Sequence, residues 1–201
     1  MLTRLKQQIQ ALLASEAALA HRIGLTPNVV SGLGILLALL SALAYWSAKI
    51  NTWLLLPAIL LLLFSGFCDA LDGVLARSYG QTTVFGGFLD SLLDRYADAA
   101  VLVGIVLGGF ADSFWGLIAI VGTLLVSYAR ARAEAAGVKM ESIGIAERAE
   151  RILILLVASL VALVWSGALW WGVVVLAFLT NTTVLQRVIY FRRAVGKKTV
   201  V

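Results

Sequence analysis

The chain has 201 residues, 61% of them hydrophobic and only 13% charged, with a mean hydropathy of +0.97. That much apolar surface excludes a water-soluble domain and points to a bundle of lipid-facing helices. A single cysteine, Cys68, excludes an internal disulfide, and a single histidine, His21, excludes a histidine-ligated metal cluster. The net charge of +5 is read as basic membrane-side loops, with no nucleic-acid partner expected.

In chain order, residues 3–20 place Leu5, Ile9, Leu12, Leu13 and Ala17 at helical spacing, with Lys6, Gln7, Gln8 and Gln10 among them. This pattern predicts an amphipathic helix in the membrane interface, within a juxtamembrane segment covering residues 1–24. The segment is too polar for a signal peptide and has no apolar stretch ending in a cleavage site. Thr26 and Pro27 are placed to cap and open the first of six apolar stretches, in a membrane domain of residues 25–201. These run Pro27 to Ala48, Thr52 to Arg77, Phe85 to Gly109, Phe114 to Ala136, Ile145 to Trp165 and Leu169 to Val188. An all-α protein with six transmembrane helices is the expectation. The basic residues gather near Arg77, from Arg130 to Arg151 and from Arg187 to Lys198, whereas Lys49 and the turn near Ser166 fall on the other side. The positive-inside rule therefore puts both termini in the cytoplasm of a multi-pass cell-membrane protein.

Four charges stand where lipid-facing helices should carry none. Asp69 and Asp72 lie near the end of the second stretch, and Asp90 and Asp94 near the start of the third. A carboxylate in a spanning segment costs about 3 kcal/mol on insertion scales, so four together need compensation. Spacings of three and four put each pair on one helix face. A short loop between antiparallel helices brings the pairs to similar depth. Hard divalent cations (magnesium, manganese or calcium rather than zinc) compensate such a cluster without histidine, and two ions of Mg2+ or Mn2+ are the expectation. Salt bridges to Arg77 and Arg95 are the structural alternative.

The segment reads Asp69-Ala-Leu-Asp72-Gly73-Val-Leu-Ala76-Arg77, eight residues, then Gly86-Gly-Phe-Leu-Asp90-Ser-Leu-Leu-Asp94. It resembles the CDP-alcohol phosphotransferase signature at every defining position. The resemblance implies a two-metal centre held by Asp69, Asp72, Asp90 and Asp94, with Asp94 as catalytic base. It also implies a CDP site formed by Asp69, Asp72, Gly73, Ala76, Arg77 and Gly86, in a six-span homodimer. The chemistry expected is attack of an alcohol on a lipid CDP-ester, with loss of CMP.

The second half bears on which alcohol attacks. The segment from Ser127 to Ala135, SYARARAEA, and the segment ERAER from Glu147 to Arg151 resemble the phosphatidylinositol-phosphate synthase branch, including its archaetidylinositol-phosphate members. That resemblance implies an inositol 1-phosphate acceptor in a pocket of Ser127, Arg130, Arg151 and Arg187, with Arg132 and Arg148 as further members. Arginine suits a phosphate because its fork offers paired donors. Arg130 replaces a lysine of bacterial relatives, and Ala149 a proline, which favours the archaeal version; the donor is CDP-archaeol or CDP-diacylglycerol, since no residue discriminates the lipid tails. Glycerol 3-phosphate is the competing acceptor, and a divalent cation transporter is the reading from another class. Asp98 extends the acidic stripe as a possible partner of Ser127 or Arg95. Cys68 and Asp112 are assigned to packing and loop, and Asn28 to either the nucleotide or a helix cap.

Overall fold

A computed structural model describes residues 13–140 and 143–198. Residues 13–22 form α1, followed by α2 (Pro27–Ser47), a 3-10 turn (Thr52–Leu54), α3 (Leu55–Ser78), α4 (Val84–Leu107), α5 (Ser113–Ala135), α6 (Arg148–Ala162) and α7 (Ala168–Lys198). The predicted interfacial positions Leu5, Ile9 and Leu12 lie outside the described residues. Leu13, Ala17 and Ala20 are buried, the two alanines in a cluster with Val30, Leu71 and Leu75 at the ends of α2 and α3.

Local chemistry sets the helix ends. Thr26 and Pro27 do begin α2, with Pro27 supplying a preset φ at a position that needs no N–H, although the Thr26 hydroxyl makes no capping bond. The Thr83 side chain caps α4 by accepting from Gly86 N at 2.9 Å. Asp112 is a cap rather than a loose loop residue. It accepts from Trp115 N at 3.1 Å and from the Trp170 indole at 2.7 Å, bonds that hold its carboxyl below the usual range. Gly80 ends the α3 turn in the left-handed region at φ +63°, which a side chain rarely adopts.

Among the described residues, four helices are long and apolar enough to cross a membrane: Pro27–Ser47, Thr52–Ser78, Ser113–Ala135 and Ala168–Gly196. Two of the six predicted stretches fall short by length or composition. The helix α4 is interrupted by Asp90, Asp94, Arg95 and Asp98. The predicted stretch Ile145 to Trp165 is helical only over the 15 residues of α6, roughly 22 Å long against a ~30 Å hydrocarbon core. It starts late because residues 143–147 are drawn into side-chain bonds with α7.

The bundle exposes many large apolar side chains and also buries small and polar ones between its helices, as lipid permits. Leu36, Leu43, Leu60, Phe64 and Phe178 face outward. Between helices, Ser41 donates to Ala58 O and Ser65 to Gly34 O, each at 2.8 Å, and Tyr45 meets Ser159 at 2.7 Å. Gly104 lies so close to the Ala42 backbone that a methyl group there would overlap it. The helix α2 packs on α3 and α4, α5 packs on α4 and α7, and α6 packs on α3 and α7. Short connections alternate the helix directions. The starts of α2, α4 and α6 therefore share one end of the bundle with the last turns of α3, α5 and α7.

Candidate active site

That shared end holds the acidic cluster. Asp69 and Asp72 are one turn apart on α3 and Asp90 is on the first turns of α4, and one oxygen of each lies within 4.8 Å of the others. All three offer hard oxygen atoms, so the donor set fits Mg2+ or Mn2+ and not a metal that prefers nitrogen or sulfur. Asp94, one turn along α4, faces the same small cavity, which Ser31, Gly34, Ser65, Ala97 and Arg148 also line.

Three features of this cluster were not read from the sequence. Ser31 of α2 donates to Asp72 Oδ2 at 2.5 Å and fixes the most buried carboxylate, which is 6% exposed. Arg148, expected in the acceptor pocket, also enters the acidic cluster: its Nη1 bridges Asp69 Oδ1 and Asp94 Oδ1, the latter at 2.8 Å. Asp98 binds Arg151 at 2.6 Å and lies 3.7 Å from Arg148 Nε, rather than serving Ser127 or Arg95. Arg95 instead lies 3.5 Å from Asp94. The salt-bridge alternative thus holds for Arg95 in part. Arg77 points elsewhere and folds over Gly73, where a methyl group would stand 3.2 Å from its guanidinium.

Two larger cavities open beside the cluster. One, of about 180 Å³, is lined by Asp72, Gly73, Ala76, Arg77 and Gly86, together with Asn28, Ser31 and Asp90. It gathers every residue expected at the CDP site except Asp69, which faces the cluster cavity next to it. The other, of about 270 Å³, brings together Ser127 and Arg130 from α5, Arg148 and Arg151 from α6, and Arg187 from α7. Arg132 is not among its walls. It lines an apolar groove between α5 and α7 with Tyr128, Met140 and Phe191.

The arginines of the larger cavity are already engaged. Arg130 Nε lies 2.9 Å from Glu134, and Arg151 Nη1 donates to Ala146 O at 3.2 Å. Arg187, 2% exposed, donates to Val126 O at 2.5 Å and to Ile143 O at 2.8 Å. Five arginines stand against Asp94, Asp98, Glu147 and Glu150 in the cavity wall. Such a wall attracts an anion modestly, and more strongly once cations neutralise the carboxylates beside it.

Comparison with known proteins identifies the family. A family model described as CDP-alcohol phosphatidyltransferase matches residues 24–180. The archaetidylinositol phosphate synthase of Methanothermobacter thermautotrophicus is 43% identical over 173 residues, 86% of each chain. The crystal structure of Mycobacterium tuberculosis phosphatidylinositol phosphate synthase with CDP-DAG bound superposes with a TM-score of 0.78 at 31% identity, covering 90% of this chain and 94% of that one. A structure of the same enzyme in complex with manganese and citrate gives 0.78 at 32% identity, covering 89% of this chain and 88% of that one.

Proposed function

We propose, from the premise that the chain belongs to the CDP-alcohol phosphatidyltransferase family, that it transfers the lipid phosphatidyl-type group of a CDP-lipid to inositol 1-phosphate and releases CMP. The observation that carries this reading is one acidic cluster with a separate cavity on either side, one small-residue-lined and one arginine-lined. A donor and an acceptor that must meet at a single phosphorus need that arrangement.

In the donor cavity, Gly73 and Gly86 leave room for the nucleotide to approach the helix backbones, and Arg77 offers its fork to a phosphate. In the acceptor cavity, Ser127, Arg130, Arg151 and Arg187 orient the inositol phosphate so that a ring hydroxyl faces the cluster. Asp94 lines both the cluster and the acceptor cavity, which makes it the carboxylate placed to take the hydroxyl proton. The new phosphorus–oxygen bond forms on the acceptor oxygen, the bond to CMP breaks, and CMP leaves with the electron pair. Asp69, Asp72, Asp90 and Asp94 would hold two divalent ions, Mg2+ or Mn2+, which when bound neutralise charge on the phosphoryl oxygens. Arg132 faces another groove and is left out of this pocket.

The same reading takes α4 and α6 as spans as well, with the charges of α4 turned toward the arginines of α6, giving six crossings in one domain of residues 25–201. In it α1 lies along the membrane surface, the site faces the cytoplasm with both chain ends on that side, and the protein works as a homodimer. A transporter would need its carboxylates near the bilayer midplane, and here they lie at one end of the bundle.

The test is CMP release by the purified chain with Mn2+, crossing CDP-archaeol and CDP-diacylglycerol with inositol 1-phosphate, glycerol 3-phosphate, inositol and serine. Release with inositol 1-phosphate alone, lost in Asp94→Asn, is expected. Equal or faster release with glycerol 3-phosphate would overturn the acceptor assignment.

A further inference from the structure

Arg148 lines both the acidic cluster and the acceptor cavity, and Asp94 is the one other residue that does so. Its Nη1 contacts Asp69 and Asp94, two of the four carboxylates assigned to the metal, while its buried Nε forms no hydrogen bond and lies 3.7 Å from Asp98. A carboxylate oxygen that serves a guanidinium offers less to a divalent ion, and the two cations also repel at this range. The alternative seat is next door: a cavity of about 270 Å³ that the same side chain already borders. As the first residue of α6, Arg148 can reach it by side-chain rotation, with Arg151–Asp98 at 2.6 Å anchoring the turn behind it.

Resting on the function proposed above, we infer that Arg148 is a positioning residue that competes with the divalent ions for Asp69 and Asp94. Displaced by them, it turns into the acceptor cavity and adds its fork to the phosphate of the incoming alcohol. Ion binding and acceptor binding are thereby coupled, and by linkage the coupling is reciprocal. The arrangement also orders the reaction, because the acceptor phosphate gains a donor only after the ions are in place.

The sign of one measurement separates this from a purely structural role. Mn2+ binding to the full chain in detergent is followed by loss of the free-ion paramagnetic resonance signal, with no lipid or alcohol present. If Arg148 competes, Arg148→Gln tightens Mn2+ binding about tenfold, equivalent to ~1.4 kcal/mol. Arg148→Lys, which keeps the charge, stays within about threefold of the wild type. If Arg148 merely holds the carboxylates in position, Arg148→Gln loosens binding, and that result or an unchanged affinity overturns the inference while leaving the proposed function standing. A wild-type chain that binds no Mn2+ overturns the proposed function itself. The wild type supplies a second readout should Arg148→Gln fail to fold. Phenylglyoxal modification of Arg148, mapped by peptide mass spectrometry, rises when Mn2+ is added, and a fall or no change refutes the displacement.

Discussion

Ser31 has one hydroxyl proton, and Asp72 takes it at 2.5 Å at the floor of the acidic cluster. That bond fixes which oxygens of Asp72 face the cavity and makes Ser31 a tuning partner of a metal-ligand candidate. Ser31→Ala is therefore expected to raise the Mn2+ concentration for half-maximal CMP release by about tenfold, the usual cost of losing an outer-shell partner. Ser31→Thr keeps the hydroxyl and stays near the wild type, and a Mn2+ titration of activity distinguishes them. The sequence did not mark Ser31 because a serine in a helix most often bonds its own preceding turn, and Ser31 also lies 3.1 Å from Pro27 O. The four aspartates were legible for the opposite reason: charge in an apolar helix is costly enough to demand an explanation. Arg148 was legible as a phosphate-suited arginine, but its reach across to Asp69 was not, since no spacing rule links α6 to α3.

The segment between α5 and α6 owes its shape to α7. The Thr183 hydroxyl accepts from Ile145 N at 3.3 Å and Ala146 N at 3.1 Å, and donates to Leu179 O at 2.8 Å. Arg187, one turn later, holds Ile143 O. Together they seat Glu147 and Arg148 at the start of α6, so the acceptor cavity depends on a residue that does not line it. Thr183→Val preserves shape but removes the acceptor for two N–H groups, one of them the buried Ala146 N–H. A loss of about 1–3 kcal/mol in stability is expected, read by thermal unfolding in detergent. Activity should show a raised KM for the acceptor and an unchanged KM for the CDP-lipid. A change confined to the CDP-lipid would contradict this assignment. The sequence showed arginines clustered on one side here, but the unwound residues 143–147 carry no periodicity, so α6 was read as starting at Ile145. The four strongly apolar helices were legible because nothing competes with hydropathy over twenty residues.

At the scale of the whole molecule, six crossings require that α4 and α6 traverse the bilayer although neither reads as a lipid-facing span. The bundle supplies a reason: α4 turns Asp94 and Asp98 inward to Arg148 and Arg151, and the inner half of α6 packs against α3 and α7. Charges neutralised inside the bundle do not meet lipid, and a helix of roughly 22 Å can cross where a continuing turn and the ordered residues 143–147 make up the depth. An even number of crossings then sets which loops share a side. In a Cys68→Ala background, cysteines introduced singly at Ile50 and Ser166 should react with a membrane-impermeant maleimide on intact cells. Cysteines at Ser78 and Lys139 should react only after the cells are opened. If α6 instead lay along the surface without crossing, Ser166 would join Lys139 on the protected side. Labelling of position 166 is therefore the observation on which the six-span topology turns, and with it the placement of Arg151 and Arg187 beside the same acidic cluster from the same face of the membrane.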